Sequence, residues 1–512
     1  MAALHRCRIR SGFRRGESIL FGIASRSWGR GLLVGCIAMC SLAASQPCSA
    51  QERDEEIEQL RKSMLEMQKT IEQLRDRVAT LERQKVSKRS TASGAAATPA
   101  PASAAMLSSP TPAATGALPG GVAQVRDLNT FQDLQNAAPR PNNVPIEPSL
   151  KGFIPIPGTD TIFKIGGNVR LDMILDGKNN GNPNLFIPSS FPFEASHGHA
   201  RSQLDAAVSR LSLETRRPVP EGTLRIYYEN DFLGDSASNS NTYRLRHLYG
   251  QAWNFLVGQT YSTFMDVDAF PDTVDAQGPN GLVNKRLPQI RYTQPLTDRL
   301  NLAFGIEQPN SDLDLSSDVY GPNAHGYSRI PDLTSNLRWE KRDVGHVQLS
   351  GITRSIAFES DTGRKTTTGW GASLAASVKL FTDDRFSTQV TYGRGIERYI
   401  QDSSGLGQDA ALDDHLGLRP LGIFAGVVGY THQWAPQWKS TISYGYVNAE
   451  TEAILGDEAY AGSQYGSVNV IWQPTTSFRM GLEYLYGART TRGVGTQTGQ
   501  RLDFVIRYDL VR

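Results

Sequence analysis

After Lys151 one pattern recurs with little interruption, an alternation of apolar and polar residues with a period of two. In "TIFKIGGNVRLDMIL", residues 161–175, Phe163, Ile165, Val169, Leu171, Met173 and Leu175 share one set of alternate positions, and Lys164, Asn168, Arg170 and Asp172 share the other. That period defines a strand with one apolar face and one charged face. The apolar face either packs into the core of a soluble sandwich or looks out at lipid from a barrel whose charged face lines water.

Counting the strands and their connections decides between the two. Strands are predicted near 161–175, 203–216, 222–233, 243–253, 255–264, 285–295, 300–307, 333–340, 345–357, 367–381, 385–394, 419–434, 437–449, 463–473, 476–489 and 498–510, sixteen in all. Short connections at "RPVPEG", "WN", "QPLTDR", "KRDVG", "TDD", "APQ" and "QPTT" alternate with long ones after every odd-numbered strand. An up-and-down barrel with turns on one rim and loops on the other produces that alternation, and a sandwich has no reason for it. Trp253, Trp339, Trp434, Trp438 and Trp472 fall near strand ends, where interfacial aromatic girdles belong. The expected fold is all-β, a 16-stranded antiparallel transmembrane β-barrel of porin-like type over 151–512, with its apolar face toward the lipid bilayer.

Residues 1–50 read as a signal peptide. Arg6, Arg8, Arg10, Arg14, Arg15, Arg26 and Arg30 precede the short apolar run "GLLVGCIAMCSLAA", and small residues end at Ala50. Cys7, Cys36, Cys40 and Cys48 all lie there, so the mature chain offers no disulfide and no cysteine metal site. Removing this segment leaves acids slightly in excess of bases, which gives no reason to expect nucleic acid. Residues 51–86 carry Ile57, Leu60, Met64, Met67, Ile71, Leu74, Val78 and Leu81 at alternating spacings of three and four, the core of a short α-helical coiled coil. β-Branched residues at a with Leu at d lean toward two strands, a preference the two methionine layers soften. Residues 87–150, rich in Ala, Pro and Ser, read as a disordered linker.

A barrel of sixteen strands is wide enough to hold an aqueous channel. Alternation turns Arg170, Arg210, Arg225, Arg244, Arg246, Lys285, Arg291 and Arg338 inward, as a basic pore wall. Facing it, the third long loop, "MDVDAFPDTVDAQGPNG", carries Asp266, Asp268, Asp272 and Asp275 and is the candidate constriction. Acids opposite bases set up a transverse field, and the excess of wall bases favours small anionic solutes. About half of the bases are expected to pair with acids such as Glu214 and Glu229 and brace the wall.

The stretches "GFIPIPGTDTIFKIGGNVRLDMILD", "LRHLYGQAWNFLVGQTYSTFMD", "FPDTVDAQGPNG", "RIPDLTSNLRWE" and "GRGIERYI" resemble the DcaP-like family of outer-membrane porins. The resemblance spans the barrel, and the coiled coil and linker match the family's layout. It implies a homotrimer of sixteen-stranded barrels in the bacterial outer membrane, a coiled coil in the periplasm, and passage of small anions such as dicarboxylates. It also makes "FPDTVDAQGPNG" the constricting loop. The chain departs from outer-membrane habit at its end, since Tyr508 is the last aromatic and four residues follow it.

Two other classes carry less. A barrel enzyme needs a nucleophile and base placed together on the lipid-facing wall; His247, read as facing outward, has no such partner, and no cofactor is called for. His197 and His199 lack a third ligand for a metal. A structural anchor, tied by the coiled coil to the cell wall, would leave the wide barrel and its loop unexplained.

Overall fold

The computed structural model describes Lys69, Leu150 and residues 152–193, 199–220, 222–236, 241–381 and 383–510. The signal peptide, the eight coiled-coil core positions from Ile57 to Leu81, the linker apart from Leu150, and His197 lie outside the described residues.

Sixteen antiparallel staves form the barrel. The first, Ile162–Asp176, pairs on one side with Arg201–Asp205 and Arg210–Val219 and on the other with the last, Gly495–Asp509, so the sheet closes on itself without an edge. Closure is what satisfies every ladder group inside a bilayer. Each intervening stave pairs with its sequence neighbour, as an up-and-down order requires.

The outward face is the apolar one. On Ile162–Asp176, Ile165, Val169, Leu171, Met173 and Leu175 are exposed, while Asn168, Arg170, Asp172 and Asp176 are buried inside. A soluble sandwich would show the reverse. The five tryptophans singled out above all sit at the rim bearing the short turns, with the Trp438 and Trp472 rings stacked 5.8 Å apart. Since such girdles lie at headgroup depth, fluorescence from the protein in vesicles should be quenched more by bromine near the carbonyl end of the acyl chain than by bromine near the methyl end. The reverse order would place this rim at the bilayer centre.

Three details differ from the sequence reading. The second stave is broken, because 206–209 bulge between its two halves and oppose only 169–171. The connections after the ninth and fifteenth staves are tight: Gly345–Ser360 runs to Gly363–Leu380 through residues 361–362, and Phe478–Thr491 to Gly495–Asp509 through 492–494. Polar strands continue there past the apolar belt, so alternation fades before the ladder ends. His247, expected outside, is fully buried inside. The register shifts between Glu229 and Asn230, so Arg246 and His247 both turn inward and the strict alternation slips by one.

Candidate functional site

The interior is built from charged wall residues and from the third long connection, residues 262–285, which leaves the stave Phe255–Tyr261 and returns at Arg286–Thr297. Asp266 caps a single 3-10 turn, Val267–Ala269, by accepting from the Asp268 N–H. Beyond it the chain follows the inside of the wall. Arg385 donates to the Phe270 carbonyl at 3.2 Å, and Lys439 is ion-paired with Asp272. Glu483 accepts from the Val274 N–H at 2.8 Å and the Asp275 N–H at 2.6 Å, and Arg170 donates to the Val274 carbonyl at 2.8 Å. The connection thus reaches staves on the far side of the barrel from its own origin.

Small wall residues let it lie close. A Cβ on Gly429 would stand 2.7 Å from Pro271, and one on Gly445 would stand 2.1 Å from the Asn280 carboxamide. The loop's apolar residues, Phe264, Met265, Val267, Phe270, Leu282 and Val283, join Ile423, Val447 and Tyr460 of the wall in one packed cluster. Burial of this kind, rather than hydrogen bonding alone, fixes the loop inside.

All eight bases predicted for the wall lie on inward positions or just above them, and six pair with carboxylates. Arg170 binds Asp172 through Nε at 2.9 Å, and Arg210 lies 3.7 Å from Glu229. Arg225 binds Glu214 at 2.7 Å and the Tyr249 hydroxyl at 2.8 Å. Arg244 meets Asp231 at 2.6 Å, while Arg246 meets Glu229 at 2.6 Å and Asp231 at 2.8 Å. Arg338 spans Asp266 at 3.1 Å, Asp268 at 2.7 Å and Glu340 at 3.1 Å.

Lys285 and Arg291 stand apart, with no carboxylate at ion-pair distance among the described residues. Lys285 donates to the Ser404 hydroxyl at 2.6 Å, and burial together with the nearby Arg398 pulls its ammonium down to about 8. Arg291 holds Gln289 Oε1 through Nε at 3.1 Å and through Nη2 at 2.9 Å, and the Tyr261 carbonyl through Nη2.

The four loop aspartates divide by role. Asp266 and Asp268 share Arg338, with His346 Nε2 also 2.8 Å from Asp266. Asp272 takes Lys439, a base the sequence reading left out although its inward parity in "WKSTISYGY" was visible. Asp275 meets backbone instead, accepting from the N–H groups of Phe186, Gln277 and Gly278 at 3.2, 2.9 and 3.0 Å.

Below the start of the loop an open cavity reaches toward the turn rim, lined by both charged and carboxamide side chains, among them Arg291, Arg338, Asn254, Asn301, Asn336 and Gln348.

An edge-free barrel with an apolar outer face, an aromatic rim and a charged interior defines a transmembrane channel of the outer-membrane type. The chain belongs to the DcaP outer membrane protein family, whose model matches residues 145–510. Among solved structures it is similar to the outer membrane channel DcaP of Acinetobacter baumannii, with 22% identity, a TM-score of 0.62, and coverage of 70% of this chain and 99% of that one. It is also similar to the anion-selective porin from Comamonas acidovorans, at 11% identity and TM-score 0.47, covering 68% of this chain and 100% of that one. No curated protein sequence matches it. The family and the barrel support the outer membrane as its location and an outer-membrane channel as its class.

Proposed function

We propose that the protein is a passive, gradient-driven porin for small hydrophilic solutes that favours anions, dicarboxylates among them as the family resemblance implies. The third loop narrows the lumen, the assembly is a homotrimer, and the coiled coil of residues 51–86 stands in the periplasm. The observation that carries the reading is the third connection held against the far inner wall by Lys439, Glu483 and Arg170. A loop fixed there shortens the distance between opposing charges, where rings of fixed charge act most strongly on a passing ion.

The charge pattern bounds the selectivity. Six of the eight predicted bases are neutralised by their partners, which leaves Lys285 and Arg291 to bias the lumen. The expected anion-to-cation permeability ratio is therefore a few-fold, roughly 2 to 5, because only two of those eight bases act as unshared charges within a Debye length.

Planar-bilayer recording of the full-length protein in a salt gradient tests this. Three equal conductance steps with anion preference are expected, and the preference should weaken between pH 7 and 9 as Lys285 loses its proton. Cation preference would mean that the loop acids dominate; absence of conductance would leave the barrel as an anchor.

A further inference from the structure

The cavity beneath the third loop is more specific than a water-filled passage requires. Its two cations are not equivalent. Arg338 is shared among Asp266, Asp268 and Glu340 and presents no net positive charge. Among the described residues Arg291 has no carboxylate at ion-pair distance and its Nη1 makes no hydrogen bond, so one guanidinium edge is left for a solute.

Around that edge the wall is rich in neutral groups that both donate and accept. Asn254, Asn301 and Thr293 also line the cavity, and their side chains make no hydrogen bond among the described residues. Asn336 spends its amide N–H on the Thr263 carbonyl at 2.7 Å, and Gln348 spends its own on the Met265 carbonyl at 3.2 Å and the Ser350 hydroxyl at 3.0 Å. Each therefore keeps a carboxamide oxygen that accepts no hydrogen bond among the described residues, on a side chain that lines the cavity.

This inventory discriminates between kinds of anion. A bare dicarboxylate only accepts hydrogen bonds, so it leaves the carbonyl oxygens of Asn336 and Gln348 unanswered. Its second charge finds no unshared cation and meets the carboxylates of Asp268 and Glu340. Hydroxyl groups, which donate and accept, answer both the carboxamide N–H and the carboxamide oxygen.

We propose that this cavity binds a monocarboxylate bearing several hydroxyl groups, its carboxylate on Arg291 and its hydroxyls on the carboxamides of Asn254, Asn301, Asn336 and Gln348, in preference to a bare dicarboxylate of similar size. The proposal rests on the porin reading and narrows it: the dicarboxylates implied by resemblance become the weaker solutes at this site.

The test is single-channel recording of the full-length protein with gluconate, adipate or sorbitol added to the bath, chosen for equal chain length. Gluconate should interrupt the current with dwell times about tenfold longer than adipate, the size of one or two net hydrogen bonds, and sorbitol should dwell less than gluconate for want of a charge. The double variant Asn254→Ala/Asn301→Ala should bring gluconate down to the adipate value. Arg291→Gln should shorten both anions' dwell times. Adipate equal to or longer than gluconate, or no interruption by any solute, overturns the inference in a channel that still conducts chloride. A protein that conducts no ions at all overturns the porin reading instead, so the two failures are distinct.

Discussion

Replacing Arg338 by glutamine is expected to lower the anion-to-cation permeability ratio of the channel at low salt. Arg338 is the single cation that faces Asp266, Asp268 and Glu340 together, at 3.1, 2.7 and 3.1 Å. Without it the start of the third loop keeps three carboxylates, with His346 Nε2 2.8 Å from Asp266. One charge removed from the lumen acts over a Debye length of about 10 Å at 0.1 M salt, so the anion-to-cation permeability ratio should fall about fivefold. At 1 M salt that length is about 3 Å and most of the change should vanish.

A purely structural role for Arg338 would lower stability and leave the reversal potential where it was. Some loss of stability is expected in either case. Its side chain is 11% exposed and those of Asp266 and Asp268 are 2% and 9%, so breaking the cluster from one side costs up to roughly 3–5 kcal/mol, less where cavity water reaches the acids. Arg244→Gln serves as a comparison, because Arg246 still neutralises Asp231 in its absence. Its effect on the permeability ratio should be smaller.

What the sequence made legible follows from which interactions are local. The period of two is a property of each strand alone, so the staves and the direction of their apolar faces can be read without knowing any partner. Leu171 and Met173 are exposed as the alternation requires. The same logic fails where polar strands run on beyond the apolar belt, as in "ESDTGRKTTTG": both faces are polar there and the period disappears, although the hairpin continues.

The site was less legible because its chemistry is cross-strand. Inward parity identifies Arg246 as a wall base, but its neutralisation by Glu229 and Asp231 depends on a register no local pattern fixes. A bulge also defeats parity outright, as His247 shows. Where the loop would lie carried a faint signal that was not used: inward positions of two neighbouring staves hold Ala425, Gly429, Ser443 and Gly445, too small to fill a barrel and spaced to receive another chain segment. The separate roles of Asp272 and Asp275 carried none, since an ion pair with Lys439 and a backbone nest look alike in sequence.

The orientation of the wall yields the second large effect. Ile442 is 60% exposed on the stave Trp438–Ala449, between the buried Thr441 and Ser443, and the Ser443 hydroxyl is 2.8 Å from that of Ser467 inside. Four residues above the Trp438 rim on a tilted strand is a rise of about 10 Å, close to the middle of an apolar belt some 25 Å tall. Ile442→Arg should therefore destabilise the barrel by about 2–4 kcal/mol, measured by urea-dependent folding into lipid vesicles. Gln437→Arg, placed in the neighbouring turn at headgroup depth, should change stability by no more than about 0.5 kcal/mol, because the cost of a guanidinium falls steeply toward the interface. Equal effects at the two positions would mean that Ile442 faces something other than lipid. Since the exposed apolar face and the buried charged face are assigned by the same alternation along the staves, that outcome would also unseat the inward placement of Arg291 and Arg338 on which the proposed selectivity rests.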